Sequence, residues 1–211
     1  MGSLLAATLR NHLCINSHSD LLIMRLVGLV GKKRSGKDTV CCIIRELAVC
    51  DGLSSERIAF ADAVKEECAE KLGESIEFME SRKDIFRPFY QWYGTEYRRG
   101  LRGEDYWTKQ AGEKVARSKA DVVIFTDVRF KNEAAFIREN GGILLRVNRP
   151  GNDDTDQHRS ELEVDEIDCD FGIENDDTLD RLRSRVKILW DLDIKPDGVE
   201  DREALDGIKE V

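Results

Sequence analysis

The chain has 211 residues, 41% hydrophobic and 36% charged, a globular composition rather than a disordered one. A formal net charge of −9 argues against nucleic-acid binding through an overall basic field and leaves small anions open wherever basic residues cluster. No apolar run reaches the roughly 18 residues of a membrane span, and the six cysteines form no C-x-x-C pair or finger spacing, so they read as reduced cytosolic thiols.

In chain order, residues 1–23 hold no signal-peptide apolar core, and Ala6 stands where myristoylation needs Ser or Thr; a flexible extension is expected. Met24 opens MRLVGLVG, a strand apolar on both faces as in parallel sheets. Beyond GKKRSGKDT, Val40, Ile43, Ile44, Leu47 and Ala48 fall on one helical face. A weaker strand is expected over 57–60, then a helix marked by Ala61, Val64, Cys68 and Leu72, and two more over 85–99 and 104–118. VVIF at 122–125 is a buried strand, 131–139 a helix stopped by Gly141-Gly142, and 143–147 another buried strand. A polar loop with Arg149, His158 and Arg159 reads as a lid over about 149–161. A weak strand at 170–173, a helix carrying Leu179, Leu182, Val186, Leu189 and Trp190, and a loosely held acidic tail at 192–211 complete the chain. The alternation predicts an α/β fold, a parallel sheet with helices on both faces, in one domain over 24–191.

Residues 31–39 carry the sharpest signal. GKKRSGKDT has the spacing G-x-x-x-x-G-K of a phosphate loop between a strand and a helix. Its amides and the helix N-terminus suit an anion, and Lys37 can reach the β- and γ-phosphates. Gly31, Lys33, Arg34, Ser35, Gly36, Lys37, Asp38 and Thr39 are the ATP-binding candidates. Asp38 stands where a hydroxyl is usual. It can ligate Mg²⁺, leave that to Thr39, or serve only the helix dipole, and these readings remain open.

Three further stretches complete the candidate site. In V-V-I-F-T-D-V-R-F-K-N-E, Asp127 ends a strand where a Walker-B acid belongs, as a metal-site candidate, and Arg129 can face an anionic substrate. From Ser81, a basic island of Arg82, Lys83, Arg87, Arg98, Arg99 and Arg102 is interleaved with aromatics, which suits base stacking and phosphate forks. Arg149, in R-V-N-R-P, can stabilise transferring charge, and Asn175, in I-E-N-D-D, can contact the base of ATP.

Taken together, GKKRSGKDT, Q-W-Y-G-T-E-Y-R-R, T-D-V-R-F-K-N-E, R-V-N-R-P with His158, and I-E-N-D-D resemble the phage-type deoxynucleoside monophosphate kinases over most of the chain. The resemblance implies a P-loop kinase fold with a helical acceptor-binding region over about 61–118, and transfer of the ATP γ-phosphoryl group, with Mg²⁺, to a deoxynucleotide. With Arg149 from the lid, Lys37, Asp127 and Arg129 are the catalytic candidates. Lys65, Arg87, Gln91, Arg98, Trp107, Arg129 and Glu133 match the acceptor side. Two departures are Asp177, where the family often has glycine, and a short segment between Leu72 and Ile85. The alternatives are a P-loop phosphomevalonate kinase, which shares the loop and D-x-R, and a non-catalytic ATP-binding module. Small nucleotides are the expected partners, without nucleic acid or membrane, in a cytoplasmic monomer or homodimer.

Overall fold

The structure, a computed structural model, describes residues 24–151 and 163–196. Five parallel strands form one sheet in the order β2-β3-β1-β4-β5: β1 (Arg25–Val30), β2 (Ser55–Ile58), β3 (Val122–Val128), β4 (Ile143–Asn148) and β5 (Phe171–Glu174). The apolar runs of β1, β3 and β4 become the three inner strands, buried on both faces.

On one face, α1 (Lys37–Cys50) and α8 (Leu179–Leu189) pack Ile44, Leu182 and Val186 against Val27, Leu29 and Leu145. On the other, α7 (Lys131–Glu139) and α6 (Tyr106–Arg117) cover Leu26, Phe125 and Leu144. The chain moves from β1 outward to β2, returns to β3, then crosses β1 to reach β4. Connections from β1 and β3 thus leave to opposite sides, which opens a crevice at the carboxyl ends of the strands, the usual ligand position in such sheets.

Between β2 and β3 lie α2 (Phe60–Leu72), α3 (Ile76–Ser81), α4 (Lys83–Gln91), α5 (Arg99–Arg102) and α6, with their own core of Val64, Cys68, Met79, Tyr93 and Trp107. The sequence reading missed α3, a short helix whose cap Ser75 accepts from the Phe78 amide at 3.1 Å. The helix expected over 85–99 is interrupted by a π-helical stretch, Trp92–Arg98. There Gly94 comes so close to α2 that an added Cβ would meet both γ carbons of Val64 at 3.2 Å, and its carbonyl accepts Trp107 Nε1 at 2.7 Å.

Two boundaries shift. The strand expected to reach Phe60 stops at Ile58, because the Phe60 and Ala61 amides bond Asp127 and start α2. The domain also passes residue 191. A final turn, Trp190–Ile194, buries Ile194 completely, while Asp51 accepts Trp190 Nε1 at 2.7 Å and pairs with Lys195 at 3.2 Å. Among the described residues no helix is long and apolar enough to cross a membrane. The expected extension at 1–23, most of the lid including His158 and Arg159, and the tail from 197 lie outside the described residues.

Candidate active site

The phosphate loop leaves β1 at the centre of the sheet and enters α1, a helix of 14 residues. Gly36, the N-cap, adopts a φ of 104°, and a side chain there would strike Asn175 Nδ2. Arg34, exposed at the loop tip, takes a left-handed φ of 62°. Lys33 is half-buried beside it. Lys32 pairs with Asp165 at 3.2 Å, tying the loop to the turn before β5.

Lys37 folds back into the loop. It is 9% exposed and donates from Nζ to the Gly31 carbonyl at 2.6 Å and the Lys32 carbonyl at 2.8 Å. Its pKa is lowered to about 8, first by burial and then by the Arg129 charge, with Asp38 and Asp127 opposing both. Ser35 Oγ is buried without a hydrogen-bond partner, so the loop encloses an unmet hydroxyl. Asp38 and Thr39 are exposed in the first turn of α1, whose amides have no intrahelical acceptors.

Asn175, just after β5, donates from Nδ2 to the Ser35 carbonyl at 2.8 Å, and its backbone amide bonds Asn148 at 2.7 Å. Asn175, expected near the base of ATP, here turns its side-chain amide to the phosphate loop and braces it. Gly36 and Asn175 are therefore one feature, since only a residue without Cβ leaves the amide room.

Asp127 ends β3 beside this loop. Its Oδ1 accepts the Phe60 amide at 2.9 Å and its Oδ2 the Ala61 amide at 2.8 Å. Burial raises its pKa, against the two amides and Arg129. The residue expected to hold metal is also the N-terminal cap of α2. Arg129, half-buried, acts on the charges of both Lys37 and Asp127, so the structure brings these three together. Arg149 is exposed at the end of β4.

Two acceptor-side expectations, Glu133 and Trp107, are corrected by their burial. Glu133, 3% exposed, binds Arg99 Nη2 through Oε1 at 2.7 Å and accepts the Arg129 and Phe130 amides on Oε2 at 2.9 and 3.1 Å. Burial pushes its pKa up to about 7 despite the Arg99 charge. It is committed to the protein and offers nothing to a substrate. Trp107 is 2% exposed, so neither ring face can stack a base; it is core. Arg98 is bound to Glu67 through Nη2 at 2.5 Å and Nε at 2.6 Å, and Glu67 also accepts the Tyr93 and Tyr106 hydroxyls. Arg98 thus ties α2 to the π-helical stretch.

Lys65 pairs with Glu80 at 3.4 Å at one-fifth exposure, and Arg87 and Gln91 are half-buried on α4. The sequence reading placed Arg99 in the basic island without a role, and it left out Glu67. Their partners lie over 30 residues away, and no local pattern encodes such pairing.

A strand-loop-helix with a buried lysine, flanked by an acid and an arginine at the switch point of a parallel sheet, defines a P-loop phosphotransferase. Residues 62–186, more than half of the chain, match the pattern of the deoxynucleotide monophosphate kinases. The chain belongs to that family: it is a kinase whose acceptor is a nucleoside monophosphate. The matched stretch begins after the phosphate loop, so the loop's geometry is independent support. A protein of Acanthamoeba polyphaga mimivirus, provisionally named a deoxynucleotide monophosphate kinase, is 29% identical over 189 residues covering 77% of this chain and 94% of its own. Among solved structures, the APS kinase of Mycobacterium tuberculosis in complex with AMPPNP and APS is 14% identical, with a TM-score of 0.43, covering 79% of this chain and 97% of its own. The shikimate kinase of Acinetobacter baumannii in complex with shikimate is 19% identical, with a TM-score of 0.42, covering 79% and 92%.

Proposed function

We propose that the donor is ATP, that its phosphates lie in the 31–39 loop, and that Mg²⁺ accompanies them. The observation that carries this reading is the pairing of buried Lys37 with the unpartnered Ser35 hydroxyl inside one loop at the start of α1. Lys37 would leave the Gly31 and Lys32 carbonyls for the β- and γ-phosphates, and Ser35 Oγ would gain a partner. Arg129 and Arg149 would neutralise charge on the group in transit.

The donor set suits Mg²⁺. Among the described residues no group of three or more His, Cys, Asp or Glu could hold a metal alone. Mg²⁺ at nucleotide sites takes one or two carboxylates, waters and the phosphates themselves. Asp38 or Thr39 would supply the oxygen, and Asp127 would act through water. When bound, the ion would neutralise phosphate charge.

The acceptor nucleotide would lie between α2 and α4, with Lys65, Arg87 and Gln91 the groups for its phosphate and base. No general base is required, since an acceptor phosphate is ionised at neutral pH. Positioning and charge neutralisation account for the chemistry. The test is ADP release from ATP and Mg²⁺ with each deoxynucleoside monophosphate offered separately. One or more should stimulate release, and Lys37→Ala should abolish it in a protein with unchanged circular dichroism. Undiminished turnover in that variant would refute the loop assignment.

A further inference from the structure

Arg99 is the most deeply buried charge of the helical region, its side chain 2% exposed, and it faces Glu133 at 4%. Its contacts with Phe130, Asn132 and Glu133 converge on the turn that follows β3 and the start of α7, and Glu104 completes the set. Nη2 donates to Glu133 Oε1 at 2.7 Å, Nη1 to Asn132 Oδ1 at 3.2 Å and to the Glu104 carbonyl at 3.0 Å, and the guanidinium lies 3.9 Å from the Phe130 ring centre. Asn132 returns a bond to the same Glu104 carbonyl at 2.8 Å. Glu133 in turn holds the amides of Arg129 and Phe130.

The turn is therefore clamped from two sides by the acceptor region. At its start Asp127 holds the first amides of α2. At its end Arg99, from α5, holds Glu133. Arg129 lies between the two clamps and influences Lys37 electrostatically.

A buried ion pair is weak evidence for stability, because desolvating two charges offsets most of their attraction. A pair of apolar side chains would fill the space as well. What the charges add is direction: with Nη1 held by Asn132 and the Glu104 carbonyl, the planar guanidinium sets Nη2 on one carboxylate oxygen and leaves the other to the two amides.

We infer that Arg99 is a positioning residue for phosphoryl transfer, acting through Glu133 to hold Arg129 in its working geometry and to couple the acceptor region to the phosphate loop. The inference rests on the proposed role of Arg129 at the transferring phosphate. Arg99 touches no substrate in this account. Its effect belongs in kcat and in the acceptor's KM, not in ATP binding.

The test uses the full chain with Arg99→Met, Arg99→Lys, Glu133→Gln, Arg129→Ala and the double variant Arg99→Met with Arg129→Ala. Glu133→Gln keeps an oxygen for the two amides while removing the charge that Arg99 needs, so it breaks the coupling without removing the cap. Readouts are acceptor kcat/KM, ATP affinity by calorimetry and melting temperature. Arg99→Met and Glu133→Gln should each lower kcat/KM about 10- to 100-fold while ATP affinity changes less than about threefold, and Arg99→Lys should recover part of the loss. In the Arg129→Ala background, Arg99→Met should cost less than about twofold more, since residues acting in series are not additive. Additive losses, or a lower melting temperature with full kcat/KM per folded molecule, would overturn the inference. Intact turnover in Arg129→Ala would remove the Arg129 assignment itself, and the inference with it.

Discussion

Lys37 concentrates the site's electrostatics in one amine. Its pKa of about 8, against an ordinary 10.5, comes first from burial and then from Arg129. Between those two values the folded protein releases a proton that the unfolded chain still holds. This group therefore adds stability as pH rises through the window and adds none below it. Binding runs the opposite way, because the neutral amine has lost the charge that phosphates need. Measured from about pH 6.5 to about 9.5, ATP affinity should fall as pH passes the Lys37 pKa, and a flat profile would contradict the role given to this lysine. Asn175 supplies a second check. Asn175→Ala removes the bond to Ser35 and leaves a partly buried carbonyl unmet, which should cost about 1–2 kcal/mol of stability by denaturant titration. ATP affinity should fall with it, since the loop would lose its brace.

Elements that bury one continuous face could be read directly from the chain. The runs at 122–125 and 143–147 are inner strands because apolar residues on both faces have no other stable place, and α1 and α8 follow from apolar spacing near 3.6. The phosphate loop was legible for the same reason: its chemistry is contiguous. Features made by distant pairing were not. The strand expected to reach Phe60 ends early because of a carboxylate 67 residues away, and within the π-helical turn Trp92–Arg98 the close approach of Gly94 to Val64 joins residues 30 apart. Glu133 was taken for a substrate ligand because a charged side chain in a motif cannot be told from a buried one until its partner is seen. The last turn makes the same point quantitatively. Ile194 belongs to the main core although it stands in an acidic stretch. Ile194→Ala should lower unfolding free energy by about 2–5 kcal/mol, whereas a substitution at a loosely held end would stay within about 0.5.

At the scale of the whole molecule, the sheet carries the phosphate loop and, in the proposed reading, the helical region carries the acceptor, which requires the two to be held in register. Asp127 joins them: it ends an inner strand and accepts both first amides of α2. This function and a metal-site function make different demands on one carboxylate, and Asp127→Asn separates them. The asparagine side chain has one accepting oxygen, so one of the two amides would face a donor and lose its partner. That should destabilise the fold by about 1–3 kcal/mol, or roughly 2–12 °C in melting temperature for a domain of this size. An acid serving only Mg²⁺ through water would leave the melting temperature of the nucleotide-free protein unchanged or raise it, since its burial is unfavourable to the charged form. Its activity loss would be recovered at high Mg²⁺. With Asp127 as the joint, α2 is displaced relative to the loop, and excess Mg²⁺ should leave most of the activity loss in place. A thermal melt without nucleotide, followed by a Mg²⁺ titration of turnover at saturating ATP, distinguishes the two. A lowered melting temperature with activity that Mg²⁺ does not restore would identify Asp127 as the residue that aligns the two halves of the active site.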